Sequence, residues 1–100
     1  MGVIVIGRFS TDPAKLAKLW DDRKAEFEGI RERAKAAGAT HHRWGFGDGE
    51  VLIVDEWRDA AAFQKFFESE TVIPELMQAA DVQGAPVFSV YEAKDAPDQF

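Results

Sequence analysis

Apolar residues recur in two rhythms along this chain, one with the period of a strand and one with the period of a helix. Val3 to Phe9 is β-branched and apolar, which predicts a strand, and Ser10-Thr11-Asp12-Pro13 then offers a capping side chain followed by a proline suited to a first helical turn. From Ala14 to Ala37 the positions Leu16, Leu19, Trp20, Phe27, Ile30, Ala34 and Ala37 recur at helical spacing, with Lys and Glu between them and Gly38 as the stop. This predicts one long amphipathic helix, bent near Gly29. Thr40 to Phe46 and Val51 to Trp57 read as strands two and three, joined by Gly47-Asp48-Gly49-Glu50 with the Asp-Gly signature of a tight hairpin. Asp59 to Phe67 reads as a helix, a shorter one follows around Pro74 to Ala80, and Gly84-Ala85-Pro86 is expected to break the chain. Val87 to Ala93 is the fourth strand, and Lys94 to Phe100 a polar tail.

The order βαββαβ predicts an α+β fold of the ferredoxin-like type, with a four-stranded antiparallel sheet and both helical crossovers on one face. The other face is then uncovered, and such a face should be polar. It is not: strand one is apolar on both sides (Val3, Val5 and Ile4, Ile6), as is strand three (Val51, Ile53 and Leu52, Val54), and strand four sets Phe88 and Val90 opposite Val87 and Tyr91. A second copy of the chain is the simplest cover for that face, so a homodimer is expected.

Composition narrows the class. One hundred residues make a single domain, 1–100, with a modest core within 3–93 and the tail at 94–100. A net charge of −6, from 12 Lys+Arg against 18 Asp+Glu, opposes nucleic acid and anionic membranes as partners. Zero Cys removes disulfides, thiolate metal sites and cysteine nucleophiles together. Met1 to Arg8 has no cationic lead and only a short apolar run, and Gly2 lacks the Ser or Thr of a myristoylation site, so a cytoplasmic protein is expected. No P-loop, GxGxxG, GxSxG or HExxH is present, and no cofactor or metal is expected from motifs.

Candidate chemistry follows from the hairpin. With Asp48-Gly49 as a two-residue loop, opposed residues have numbers summing to 97, which sets Trp44 against Ile53, His42 against Asp55, His41 against Glu56 and Thr40 against Trp57. Each histidine meets a carboxylate, on opposite faces of the sheet. His42 and Asp55 share their face with Trp44 and Trp57, and a carboxylate that orients an imidazole there suits a general base; a purely structural cross-strand ion pair is the alternative. Arg23 falls in the apolar stripe of the first helix, where it must snorkel out or meet an acceptor such as a ligand oxygen or Asp55. Three Trp and eight Phe are more than one small core needs. Trp20, Phe27, Trp44, Trp57, Phe63 and Phe66, simplest as core, are also expected to line a pocket for a planar apolar ligand between helices and sheet.

The run Val51-Leu52-Ile53-Val54-Asp55-Glu56-Trp57-Arg58-Asp59-Ala60-Ala61-Ala62-Phe63, a strand ending in Glu-Trp followed at once by a helix with Ala62-Phe63, resembles the second half of antibiotic biosynthesis monooxygenase domains of the dimeric α+β barrel superfamily. The resemblance implies a homodimer and small-molecule chemistry, with cofactor-independent oxygenation of quinols or aromatic polyketides, haem degradation, or binding without catalysis as the functions it covers. Haem degradation is disfavoured, because Gly7, Phe66 and Glu75 stand where the haem-degrading branch carries Asn, Trp and a ligating His. Two readings remain. In one, His42 with Asp55 deprotonates a phenol whose oxyanion Arg23 holds; in the other, the chain is a non-catalytic dimer that binds a ligand or assembles.

Overall fold

Residues 2–100 are described by the computed structural model; Met1, where the N-terminal reading began, lies outside them. Their elements run β1 (Val3–Ser10), α1 (Pro13–Asp22), α2 (Lys24–Ala37), β2 (Ala39–Phe46), β3 (Glu50–Trp57), α3 (Ala60–Ser69), α4 (Val72–Ala79) and β4 (Gln83–Glu92). The strands form one antiparallel sheet in the order β2-β3-β1-β4, the ferredoxin-like arrangement expected from the element order. Asp12 caps α1 by accepting from the Ala14 N–H at 3.0 Å, with Pro13 in the first turn, and Asp59 caps α3 through the Ala62 N–H at 2.7 Å.

Three expectations are corrected. The long helix is two helices that break at Arg23 (φ −129°, ψ 37°) rather than bending at Gly29, because an arginine in an apolar stripe must leave it to find acceptors. On β2, Ala39 rather than Thr40 pairs with Trp57; a bulge takes up the extra residue, and the Thr40 hydroxyl donates to the Glu56 carbonyl at 3.2 Å. Finally, β4 begins at Gln83 and runs through Gly84-Ala85-Pro86. A sheet edge tolerates proline, and the β1 register there jumps from Arg8–Val87 to Ser10–Gln83 with Gly84 at φ +70°.

The odd residues of β1 and β3 face the helices. Two clusters pack beneath them: Phe9, Leu16, Leu19, Val51, Ile53, Leu76 and Ala80 under α1 and α4, and Val5, Trp57, Ala62, Phe63 and Phe66 under α3. Gly7 lies between Ile53 and Phe88 in the ladder, and a Cβ there would stand 2.6 Å from the Phe88 ring, so glycine is what lets that ring lie across the strand. Helix α2 is different: none of its residues is fully buried, and Ile30 touches the edge of both clusters. Ion pairs fasten it to its neighbours, Arg33 being bidentate to Glu70 at the end of α3.

The opposite face of the sheet carries Ile4, Ile6, Leu52, Val54, Val87 and Tyr91, with Val87 63% and Tyr91 55% exposed. No helix among the described residues is long and apolar enough to cross a membrane.

Candidate functional site

The hairpin holds the expected register from His41 to Phe46, because Gly47 N–H bonds the Glu50 carbonyl at 2.8 Å and Gly49 takes the positive φ of +70° that the turn requires. His42 therefore stands directly opposite Asp55 on the helix-facing side. Asp55 occupies a position that strand alternation reserves for an apolar residue, between Ile53 and Trp57, and is only 5% exposed. A carboxylate buried there is tolerable only if its oxygens are held. Both are: His42 Nδ1 lies 2.5 Å from Oδ1, and the Trp57 indole N–H donates to Oδ2 at 3.2 Å.

This arrangement orients the imidazole. Nδ1 is engaged by Asp55, so Nε2 is the ring nitrogen left to take a proton from a ligand. The Trp44 ring meets His42 edge-on at 5.7 Å, and the His42 side chain is 49% exposed, so the imidazole is reachable while its partner is dry. His41 lies on the opposite face with Nδ1 2.9 Å from Glu56, an exposed cross-strand pair.

Between α2 and the sheet is a cavity of about 680 Å³, within the range of small-molecule sites. The apolar side of α2 both roofs this space and touches the rims of the two clusters through Phe27, Ile30 and Ala34, and none of its residues is fully buried. The expected aromatic residues Trp20, Phe27, Trp44, Trp57, Phe63 and Phe66 all line it, as do His42 and Asp55. Arg23 does not. Its Nε and Nη2 make a two-point pair with Glu26 at 2.7 and 2.6 Å, and Nη2 also reaches Glu75 on α4 at 2.8 Å. Those bonds, Glu26 foremost, hold the guanidinium charged far above the ordinary arginine range. Its acceptors are therefore two carboxylates of the chain, not Asp55 or a ligand oxygen, and Arg23 ties the α1–α2 junction to α4.

Two features escaped the sequence reading. One is the indole bond of Trp57, which makes that residue a support for Asp55 as well as a wall. The other is the solvent side of the cavity, lined by the exposed residues Lys24, Glu28, Arg31 and Lys35 of α2 together with His42 of β2. The signal was available in the spacing 24, 28, 31, 35, a single helical stripe beside the apolar one.

No protein-family model and no curated protein matches the chain in sequence. Solved structures do match in fold over nearly its whole length. It is similar to Rv0793 from Mycobacterium tuberculosis (18% identity, 98% of this chain and 100% of that one, TM-score 0.65). It is similar to the ActVA-Orf6 monooxygenase of Streptomyces coelicolor, solved with nanaomycin D (19% identity, 95% and 89%, TM-score 0.67). A third is SnoaB, a cofactor-independent oxygenase from Streptomyces nogalater (16% identity, 98% of each chain, TM-score 0.59). The chain thus has the fold of antibiotic biosynthesis monooxygenase domains, as the resemblance of Val51 to Phe63 implied.

Proposed function

We propose that this protein is a homodimeric small-molecule-binding domain that acts as a cofactor-independent monooxygenase on a phenolic or quinol-type aromatic substrate. The observation that carries the reading is the His42–Asp55 pair, its carboxylate buried and doubly held, set at the open side of an apolar cavity large enough for several fused rings. The fold it shares with a cofactor-independent oxygenase and with a monooxygenase solved with nanaomycin D supports the same chemistry. A second copy covering Ile4, Ile6, Val54 and Tyr91 is supported by the apolar character of that sheet face.

In this reading the ring system lies under α2 among the aromatic residues, and Nε2 of His42 removes the phenolic proton. The resulting phenolate is electron-rich enough to pass electrons to dioxygen directly. Dioxygen bonds to a ring C–H carbon and takes the proton from His42 as a hydroperoxide; the O–O and C–H bonds then break, one oxygen staying on the ring as a carbonyl and the other leaving as water. Both electrons needed beyond the insertion come from the substrate, which ends as the quinone, so substrate serves as acceptor and reductant together. Asp55 keeps Nδ1–H pointed away from the substrate and so presents Nε2 to the phenol. Trp57 holds the carboxylate in that position.

The test is oxygen uptake with a panel of quinols and phenolic polycyclic aromatics. His42→Ala lowers the rate by about 10²-fold or more, the usual loss with a general base, and Asp55→Asn lowers it less. Full activity in His42→Ala overturns the base assignment. Binding of the panel without oxygen uptake leaves a ligand-binding dimer in its place.

A further inference from the structure

Helix α2 spans the cavity without being locked onto it. It is bounded by two breaks, Arg23 at φ −129° and ψ 37° and Gly38 at φ +124°, and none of its 14 residues is fully buried. An amphipathic helix is normally held down by the apolar side it buries. Here Phe27, Ile30 and Ala34 are only partly buried, at the edges of the two clusters. Among the described residues, the one ion pair that runs from α2 to another helix or strand is a two-point pair, Arg33 Nη2 and Nε lying 2.6 and 3.0 Å from Oε1 and Oε2 of Glu70. Glu70 is a fixed post. It closes α3, its N–H donates to the Phe66 carbonyl at 3.0 Å, and its side chain is 10% exposed, against 54% for Arg33.

Gly29 bears on the same pair. Glycine is the weakest helix former after proline, yet it stands inside α2. A Cβ at that position would lie 3.0 Å from Arg33 Nη1, so the missing side chain is the room the guanidinium occupies as it lies back over the preceding turn. We propose that α2 is a lid that moves between its breaks at Arg23 and Gly38, and that the Arg33–Glu70 pair is the clasp holding it shut. The proposal rests on the reading of the cavity as the ligand site. It adds the way in: Trp57, Phe63 and Phe66 line the space roofed by the helix, and a planar molecule comes among them when the C-terminal half of α2 lifts off α3. Arg23, tied to Glu75 on α4 at 2.8 Å, stays as the fixed end. Neither Arg33 nor Glu70 lines the cavity, so the clasp acts alike on the free and the occupied protein. It therefore sets how fast a ligand enters and leaves, not how tightly it is held.

Stopped-flow fluorescence with the neutral probe N-phenyl-1-naphthylamine tests this. Arg33→Gln and Glu70→Gln each raise the association and dissociation rates together by about three- to tenfold, with Kd nearly unchanged. The charge exchange Arg33→Glu/Glu70→Arg returns both rates toward wild type. Gly29→Ala strengthens the helix but crowds the guanidinium, and it moves the rates in the same direction as Arg33→Gln, so a general loss of fold does not account for the effect. Because the chain has no Cys, the variant Arg33→Cys/Glu70→Cys can be bridged by a short bifunctional thiol reagent, and bridging slows both rates by about tenfold or more. Wild-type rates in Arg33→Gln and Glu70→Gln, or a bridged variant that exchanges probe as fast as before, overturn the lid while the cavity reading stands. A weaker Kd with an unchanged association rate overturns it as well, because the pair then supports the bound state alone. Absence of probe binding by the wild-type protein overturns the cavity reading, and the lid with it.

Discussion

Replacing Trp57 by Phe isolates one hydrogen bond of the site with little change in shape. Trp57 is 2% exposed and packs on Phe63 and Phe66 with ring centroids 5.6 and 5.3 Å away, contacts that a phenyl ring largely keeps. What it loses is the N–H that donates to Asp55 Oδ2. A hydrogen bond to a charged acceptor is worth about 2 kcal/mol, more so when its loss leaves a buried oxygen without a partner. The three ring atoms removed leave a void costing about 1 kcal/mol. The sum, about 3 kcal/mol, is a large share of the stability of a domain this size and corresponds to a fall in Tm of about 10–20 °C. Urea titration of Trp57→Phe, Asp55→Ala and the double variant separates the two contributions. With Asp55 gone no acceptor remains, and Trp57→Phe then costs about 1 kcal/mol, the void alone, so the coupling energy is about 2 kcal/mol. Additive effects of the two substitutions would refute the doubly held carboxylate.

Two further experiments test the rest of the framework. Gly7→Ala sets a Cβ against Phe88 and Ile53 and costs about 1–3 kcal/mol in urea titration, relieved when Phe88→Leu is added; a neutral Gly7→Ala contradicts the ladder described. Ile4→Lys/Val54→Lys converts the proposed dimer to monomers in equilibrium sedimentation, whereas a wild-type protein that already sediments at the 11.2 kDa of one chain removes the second copy from the account.

The contrast between His42 and Arg23 shows how much of this site is legible in the residues alone. His42 meets Asp55 because a two-residue Asp-Gly turn dictates every pairing up the hairpin, so thirteen residues of separation reduce to one local geometry. The same rule missed the bulge at Thr40, which carries no glycine or proline to mark it. For Arg23 the helical period gave the direction of the side chain but not its partners, since Glu75 lies 52 residues away on another helix. The period also failed to mark the helix break, because pairing with Glu26 and Glu75, rather than any breaker residue, accompanies it. Phe27, Ile30 and Ala34 read as a core-facing stripe in either case: hydrophobic spacing says which side of α2 turns inward, not whether side chains or empty space lie beneath it.

The central claim, that the space beneath α2 is the ligand site with His42 at its opening, is tested most directly by the indole resonances. All three tryptophans of the chain line that cavity, so titration of labelled protein with a planar phenolic aromatic is followed at the Nε1–H signals of Trp20, Trp44 and Trp57 and at the His42 ring. The account predicts that all four shift together and saturate at one ligand per chain. Unmoved indoles, with shifts confined to Val54, Val87 and Tyr91 on the opposite face of the sheet, would contradict it.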